Sequence, residues 1–307
     1  MSTTLLLIQT LNGLQFGIML FLMAAGLTLV FGIMNLVNLA HGSLYMMGAY
    51  FAAAGASWSG NPLLGILLAV PATLLLGVLV ELITLRSLYQ RDHLDQVLCT
   101  FGLILFFNEL ARLLWGSAAI PMPIPEALRG FVTLFPGLIY PKWRLAIILV
   151  GLLVALLLYL LISHTRLGML IRAGASNRPM VGALGVNISL LFTLVFGLGA
   201  ALAGLAGAMV APLLSVEPGM GDPILILTFV VIVIGGIGSI RGAFIAALLV
   251  GLIDTVGRAF LPALLRELFQ TQSASTLGAA LASMLIYILM AAVLFFRPRG
   301  LFPPKGQ

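Results

Sequence analysis

Charged residues are scarce in this chain of 307 residues, where Asp, Glu, Lys and Arg together make up 8%. A soluble protein carries about 25% charged residues to cover its surface, whereas 62% of the residues here are hydrophobic. The first 80 residues contain none of the four charged types. This composition excludes a water-soluble fold and predicts an all-α polytopic membrane protein with a single domain over residues 1–307.

Cysteine and lysine are almost absent as well. The single cysteine, Cys99, excludes an intrachain disulfide and any cysteine-based metal site, and no other spacing suggests a metal or a cofactor. Neither Lys142 nor Lys305 follows the glycine pattern of a nucleotide-binding loop, so the chain cannot hydrolyse ATP itself. The sequence contains neither an H-E-x-x-H nor a G-x-S-x-G motif, so it shows no catalytic set of these kinds. The net charge of +6 arises from short loops between apolar runs, which is typical of membrane topology and not of nucleic-acid binding.

Apolar runs of spanning length predict nine transmembrane helices, or eight if residues 31–43 form a re-entrant segment. The predicted spans lie near residues 5–30, 43–58, 62–85, 96–115, 145–162, 188–212, 223–238, 242–257 and 274–296. The proline-rich stretch 116–144 predicts the longest loop, with a short surface helix. The distribution of Lys and Arg favours a cytoplasmic carboxyl terminus.

Two polar segments interrupt the apolar runs, at the beginning of residues 38–52 and of residues 238–252, and each opens a helix rich in Gly and Ala. Their likeness suggests an internal repeat of the kind that places interrupted helices at the substrate site of transporters. Two interpretations stay open, a polar turn that satisfies broken backbone bonds and the lining of a translocation path. The candidate path residues are Asn35, Asn38, His41, Gly42, Ser43, Gly235, Gly236, Gly238, Ser239 and Gly242.

Acidic residues within the predicted spans each have a basic neighbour at short spacing. Local pairing is expected for Glu81 with Arg86, for Glu109 with Arg112 and for Asp254 with Arg258. An unpaired acid at the bilayer centre would indicate ion coupling, and none is evident.

Stripes of small residues at helical spacing predict close packing between helices, because lipid supplies little hydrophobic drive for helix association. The clearest stripes are Gly13 with Gly17, Ala200 with Gly204 and Ala208, and Ala243 with Ala247 and Gly251.

Residues 167–187 read LGMLIRAGASNRPMVGALGVN. This segment resembles the cytoplasmic coupling loop of ABC importer permeases, in the form used by the branched-chain amino acid family. Residues 12–50 and 235–252 resemble two further signatures of that family, and the chain is most similar to the shorter of its two membrane subunits. The residues that match in the coupling loop, predicted over 163–187, are Gly168, Arg172, Ala173, Asn177, Ala183, Leu184 and Gly185.

The resemblance implies the ABC importer permease fold and a location in the bacterial inner membrane. It also implies import of leucine, isoleucine and valine, with a second homologous permease, two cytoplasmic ATPases and an extracytoplasmic substrate-binding protein as partners. ATP would be hydrolysed on those partners, so the chain is expected not to be an enzyme. Two alternatives stay open: a permease for urea or short-chain amides, and an ion-coupled carrier that uses Glu81 or Asp254.

The coupling loop is expected to hold a short helix that fits a groove on the ATPase. Gly168 and Gly185 would flank this helix as hinges. Its apolar residues would be exposed for contact, namely Met169, Leu170, Ile171, Met180, Val181 and Leu184.

Overall fold

The computed structural model describes residues 3–89, 91–269 and 272–303, and for 272–275 only the backbone. Eleven α-helices occupy most of this part of the chain: α1 Thr3–Met34, α2 His41–Ser59, α3 Pro62–Ile83, α4 His93–Trp115, α5 Lys142–His164, α6 Arg166–Ser176, α7 Arg178–Ala183, α8 Ile188–Val210, α9 Gly221–Gly235, α10 Ile240–Phe269 and α11 Gln272–Phe296. Short 3₁₀ turns cover Leu85–Leu88 and Glu126–Leu128, and the strands β1, Phe131–Phe135, and β2, Leu138–Pro141, form an antiparallel hairpin.

Seven of the helices are long and apolar enough to cross a membrane, namely α1, α3, α4, α5, α8, α10 and α11. The helix α9 is apolar but has only 15 residues, and α2 has 19 residues, most of them buried. Each of the nine predicted spans therefore corresponds to a helix, and the all-α polytopic architecture is confirmed. The short lengths of α2 and α9 reflect where they begin, which is inside the bundle.

The helix α1 forms the centre of the bundle, because it carries no charge and is buried along most of its length. It packs against α10, α8, α5 and α9. By contrast, α4, α5 and α11 expose most of their spanning surface. Leucines dominate that outer surface, as a face in contact with lipid requires.

The predicted small-residue stripes lie at helix crossings. A Cβ atom added at Gly13 would lie 2.9 Å from the Cα of Leu252 on α10, and one at Gly17 would lie 2.9 Å from the Cα of Leu248. The helices α2 and α8 cross where Gly48 meets Gly204. Close backbone approach, which only small residues permit, holds this bundle together.

One predicted boundary is wrong. The helix α10 runs to Phe269 and not to residue 257, even though Pro262 lies inside it. Its far end is supported by α11, whose Gly278 packs directly on Pro262. In the long loop, the surface helix is reduced to the 3₁₀ turn Glu126–Leu128, and the β1–β2 hairpin follows it.

Candidate functional site

The first polar segment turns back into the helix bundle. The helix α1 ends at Met34, yet His41, at the start of α2, places Nε2 3.1 Å from the carbonyl oxygen of Met23. Met23 lies about three helical turns, or about 16 Å, before the end of α1. The connecting residues 35–40 therefore carry the chain back to the middle of α1, and α2 begins there. Residues 31–34 still belong to α1 and residues 41–43 to α2, so the turn is confined to residues 35–40, and the choice between eight and nine spans stays a prediction.

The helix α9 also begins inside the bundle, directly against α2. A Cβ atom added at Gly42 would lie 2.6 Å from the carbonyl oxygen of Gly221, the first residue of α9. The backbone N–H of Gly219 lies 3.3 Å from the sulfur of Met46 on α2. The amino termini of two short helices thus meet at one buried junction. Sequence reasoning included Gly42 among the candidates and missed Gly221, which stands outside any polar cluster.

The second polar segment lies at the other end of α9. There Gly235 packs against Gly242 at the start of α10, and Gly238 lies beside Gly32 of α1. The Ser239 Oγ accepts a hydrogen bond from the N–H of Gly242 at 3.1 Å. Because α9 rises about 1.5 Å per residue, its length separates this turn from the α2–α9 junction. The two groups of candidate path residues are therefore joined by α9 and do not form one cluster.

The carboxyl-terminal tail covers the second turn. The N–H groups of Leu301 and Phe302 donate to the carbonyl oxygens of Ile234 and Gly235, at 2.8 and 3.0 Å. Packing of the tail also explains why residue 236 is a glycine. Its φ is +102°, and an added Cβ would lie 3.1 Å from the carbonyl oxygen of Arg299. A path role for Gly235, Gly236, Gly238, Ser239 and Gly242 stays a prediction.

The predicted coupling loop consists of two helices, α6 and α7, separated by Asn177. The Asn177 Oδ1 accepts from the N–H of Met180 at 3.0 Å and caps α7. Gly185 ends α7 with φ +86°, and the N–H of Val186 reaches back to the carbonyl of Val181 at 3.4 Å. This is the left-handed helix end for which glycine is favoured, and it fixes the Ala183–Gly185 turn.

Part of the expected apolar surface is exposed and part is not. The exposed fractions are 55% for Met169, 58% for Met180 and 77% for Leu184. Ile171 and Val181 are buried, so their predicted exposure is wrong. Both lie on the side of their helices that faces the bundle. Arg172 is exposed, whereas Leu170 and Ala173 are half-buried.

Gly168 does not flank a helix as a hinge. It lies in the first turn of α6, where an added Cβ would collide with the carbonyl oxygens of Leu161 and Ile162 at the end of α5. The Thr165 Oγ1 accepts from the N–H of Gly168 at 3.1 Å and caps α6. The sharp turn between α5 and α6 therefore requires glycine for close approach.

A buried polar network links α7 to the carboxyl-terminal end of α3 and the amino-terminal end of α8. Glu81 is fully buried, and it accepts hydrogen bonds from the hydroxyls of Tyr89 at 2.5 Å and Thr193 at 2.7 Å. Arg86 lies 3.4 Å from the same carboxylate and donates to Thr193 at 2.9 Å. The predicted pairing of Glu81 is confirmed, although its carboxylate does not reach solvent.

Phe192 connects this network to α7. The ring of Tyr89 packs edge-on against Phe192 at 5.1 Å, and the guanidinium of Arg178 lies 5.6 Å from the centroid of the same ring. Burial and the hydrogen bond to Glu81 raise the pKa of Tyr89 well above its usual range, so the hydroxyl stays a donor. Burial also lowers the pKa of Arg178.

The variant Tyr89→Phe tests this network. We expect the loss of one charge-assisted hydrogen bond to lower the free energy of unfolding by about 2 kcal/mol, while the aromatic packing on Phe192 is kept. The matched control is Tyr287→Phe, at a half-exposed position on α11. Denaturant unfolding followed by fluorescence would measure both, and equal stability of the two variants would contradict the assignment.

The other two predicted ion pairs are present. Asp254 lies 2.8 Å from Arg258, and Glu109 lies 2.7 Å from Arg112. Glu81 and Asp254, the acids that an ion-coupled carrier would need, thus both have a basic partner.

Comparisons with known proteins agree with this architecture. Residues 9–294 match the family described as the permease component of branched-chain amino acid transport systems. The high-affinity branched-chain amino acid transport system permease protein BraD of Pseudomonas aeruginosa is 31% identical over 306 residues, covering 95% of this chain and 94% of that protein.

Two proteins called LivH match a smaller share of the chain's length. The high-affinity branched-chain amino acid transport system permease protein LivH of Escherichia coli K12 is 29% identical, covering 78% of this chain and 82% of its own. A probable branched-chain amino acid transport permease protein LivH of Methanocaldococcus jannaschii is 28% identical, and the match covers 75% of this chain and 74% of that protein. No solved structure matches the chain significantly. With the match over nearly all of its length and its membrane-spanning helices, the chain belongs to the family of permease components of branched-chain amino acid transport systems.

Proposed function

We propose that this chain moves branched-chain amino acids into the cytoplasm as the shorter membrane subunit of an ABC importer. The observation that carries the proposal is the exposed apolar surface of Met169, Met180 and Leu184 on α6 and α7. Apolar side chains on a short helix outside the membrane are the kind of feature that fits a groove on a partner protein. We assign this surface to the ATPase, and we call it the docking surface.

The network around Glu81 connects the docking surface to the helices α3 and α8 through side-chain contacts. Arg178 of α7 rests on Phe192 of α8, and Tyr89 joins Phe192 to Glu81 of α3. A movement of α7 that accompanies ATP binding would therefore act on α3 and α8 together. Those two helices pack along their length, with Gly77 against Ala200 and Thr73 against Gly204, so they would tilt as one unit.

The partners in this proposal are a second homologous permease, two cytoplasmic ATPases and an extracytoplasmic substrate-binding protein, in a bacterial inner membrane. The match to branched-chain amino acid permeases over residues 9–294 favours leucine, isoleucine and valine over urea or short-chain amides.

Isolation of the complex tests the proposal. The tagged chain, purified from its native membrane in mild detergent, is expected to carry ATPase subunits whose hydrolysis rises when leucine-loaded binding protein is added. The binding protein loaded with urea, or added without substrate, is the control. A response to urea in place of leucine would replace the substrate assignment, and a chain that purifies without ATPase would contradict the importer assignment.

A further inference from the structure

We infer that a groove between α1, α5 and α10 holds one anionic phospholipid of the surrounding membrane, with the lipid phosphate on Arg241. The groove has a volume of about 380 Å³. Apart from Ser163 and Arg241, the residues that line it are apolar or aromatic. The inference goes beyond the proposed function, and only the assignment of the groove to one leaflet rests on that function.

The groove follows α5 from its carboxyl-terminal end towards its middle. Its lining on α5 extends from Ser163 back to Ala155, which is about 12 Å along the axis at about 1.5 Å per residue. Leu158 of α5 is buried, and Phe244 and Ile245 line the groove from α10. Because α1, α5 and α10 are all long and apolar enough to cross a membrane, a narrow apolar groove between them suits a lipid acyl chain.

Arg241 supplies a positive charge to this apolar groove. It is exposed and lies in the first turn of α10, where the helix dipole disfavours a cation. No Asp or Glu among the described residues forms an ion pair with it. A guanidinium has five N–H donors, and a phosphate group can accept two of them side by side. The charge of the groove is therefore complementary to a lipid phosphate.

Tyr159 positions the guanidinium of Arg241. The Cζ of Arg241 lies 5.7 Å from the centroid of the Tyr159 ring, which is within the range of a cation–π interaction. The ring of His164, the last residue of α5, lies 6.1 Å from the same ring. Tyrosine is enriched where the membrane meets water, since its ring is apolar and its hydroxyl is polar. These residues therefore mark the level of the lipid headgroups.

Other occupants match only part of the groove. Inorganic phosphate would pair with Arg241 and leave the apolar lining unfilled. A second permease subunit would cover the apolar lining, but it would have to supply a carboxylate to Arg241 as well, because an unpaired buried charge is costly. A phospholipid carries the phosphate and the acyl chain in one molecule. Basic pockets between membrane helices are known to bind anionic headgroups in this way.

The groove opens at the end of the bundle that carries the docking surface, because α5 ends at His164 and α6 begins at Arg166. Under the proposed function this end is cytoplasmic, so the headgroup would lie in the inner leaflet. A lipid bound there would contact α5 and α10 together, directly before the turn into α6. A ligand that binds only the folded protein stabilises it, so the lipid should raise the unfolding temperature.

Native mass spectrometry tests the inference on the full chain, purified with the subunits that it retains. The protein is delipidated and titrated with phosphatidylglycerol, or with phosphatidylcholine of the same acyl chains. We expect the first phosphatidylglycerol to bind about tenfold more tightly than the first phosphatidylcholine. Arg241→Gln should raise the Kd for phosphatidylglycerol about tenfold, the effect of one charge-assisted hydrogen bond. Phosphatidylglycerol should also raise the unfolding temperature of the parent more than that of the variant.

The matched control is Arg91→Gln, which removes the same charge from an exposed arginine that does not line the groove. Arg91 closely follows Tyr89, which contacts Phe192 beside Arg178 of α7, so it lies at the same end of the bundle. We expect Arg91→Gln to keep the preference for phosphatidylglycerol, because general attraction between the basic end of the protein and an anionic lipid is not the cause.

A second variant tests the apolar part of the groove. Ala155→Phe places a ring among the lining residues and leaves Arg241 unchanged. It should weaken the binding of both lipids, whereas Arg241→Gln should weaken phosphatidylglycerol selectively. Inorganic phosphate, added in excess, should not displace phosphatidylglycerol from the parent.

Equal binding of the two lipids by the parent, or equal losses in Arg241→Gln and Arg91→Gln, would overturn the inference. Displacement of phosphatidylglycerol by inorganic phosphate would do so as well, since it would show a site for free anions. Lipid binding that appears only when the second permease is removed would show that this subunit covers the groove, which also overturns the inference. The proposed function is judged separately, by leucine-stimulated ATP hydrolysis in the unaltered complex.

Discussion

Replacing Leu184 with aspartate is expected to leave the chain folded and to reduce leucine-stimulated ATP hydrolysis at least about tenfold, the effect of losing a central apolar anchor at an interface. Leu184 is 77% exposed and follows the last residue of α7, so the substitution removes no packing within the chain. A carboxylate there would have to be desolvated in the groove of the ATPase. The change should therefore weaken docking and not stability.

The matched control is Leu94→Asp, in the first turn of α4, where the leucine is 67% exposed. It follows closely on Tyr89, which contacts Phe192 beside Arg178 of α7, so it lies at the same end of the bundle. We expect that variant to keep both its ATPase subunits and its stimulated hydrolysis. Co-purification of the ATPase with each tagged variant measures docking directly. If Leu184→Asp retained a full complement of ATPase and normal stimulation, the docking surface would have been assigned to the wrong residues.

The variant Gly48→Ala is expected to lower the free energy of unfolding by about 3 kcal/mol, the upper end of what overpacking costs. An added Cβ at Gly48 would collide with the backbone of Gly204. Backbone atoms cannot turn aside as a flexible side chain can, so α2 and α8 would have to separate. Thermal stability in detergent, followed by size-exclusion chromatography, measures the effect.

The same substitution at Gly102 provides the control. Gly102 lies in α4, and an added Cβ there would meet no atom within 4 Å in the described part of the chain. Alanine is the better helix former by about 1 kcal/mol, so Gly102→Ala should match or exceed the parent in stability. Equal losses in Gly48→Ala and Gly102→Ala would mean that the α2–α8 crossing does not depend on close approach.

Much of the fold could be predicted because membrane helices are identified by apolar length alone. All nine predicted spans correspond to helices, and the stripe of Gly13 with Gly17 lies against α10 as small residues at helical spacing suggest. The end of α10 could not be placed, since Pro262 usually breaks a helix and here α11 supports it. The hairpin of β1 and β2 depends on a few residues within a proline-rich loop, where periodicity is too short to indicate strands.

The candidate sites were predictable in composition and not in arrangement. Polarity identified Asn38, His41 and Ser43, but the contact of the neighbouring Gly42 with Gly221 depends on where α9 begins, which no local pattern gives. In the predicted coupling loop, the exposure of Met169, Met180 and Leu184 was predicted correctly, whereas that of Ile171 and Val181 was not. Ile171 and Val181 face the bundle because α6 and α7 pack on it, an orientation set by tertiary contacts.

Transport in proteoliposomes tests the central claim most directly. The complete complex is reconstituted with ATP inside the vesicles, and the uptake of labelled leucine is measured when leucine-loaded binding protein is added outside. We expect uptake to require both ATP and the binding protein and to be unaffected by proton or sodium ionophores. Uptake of leucine by this chain alone, driven by a proton or sodium gradient without ATP, would contradict the account.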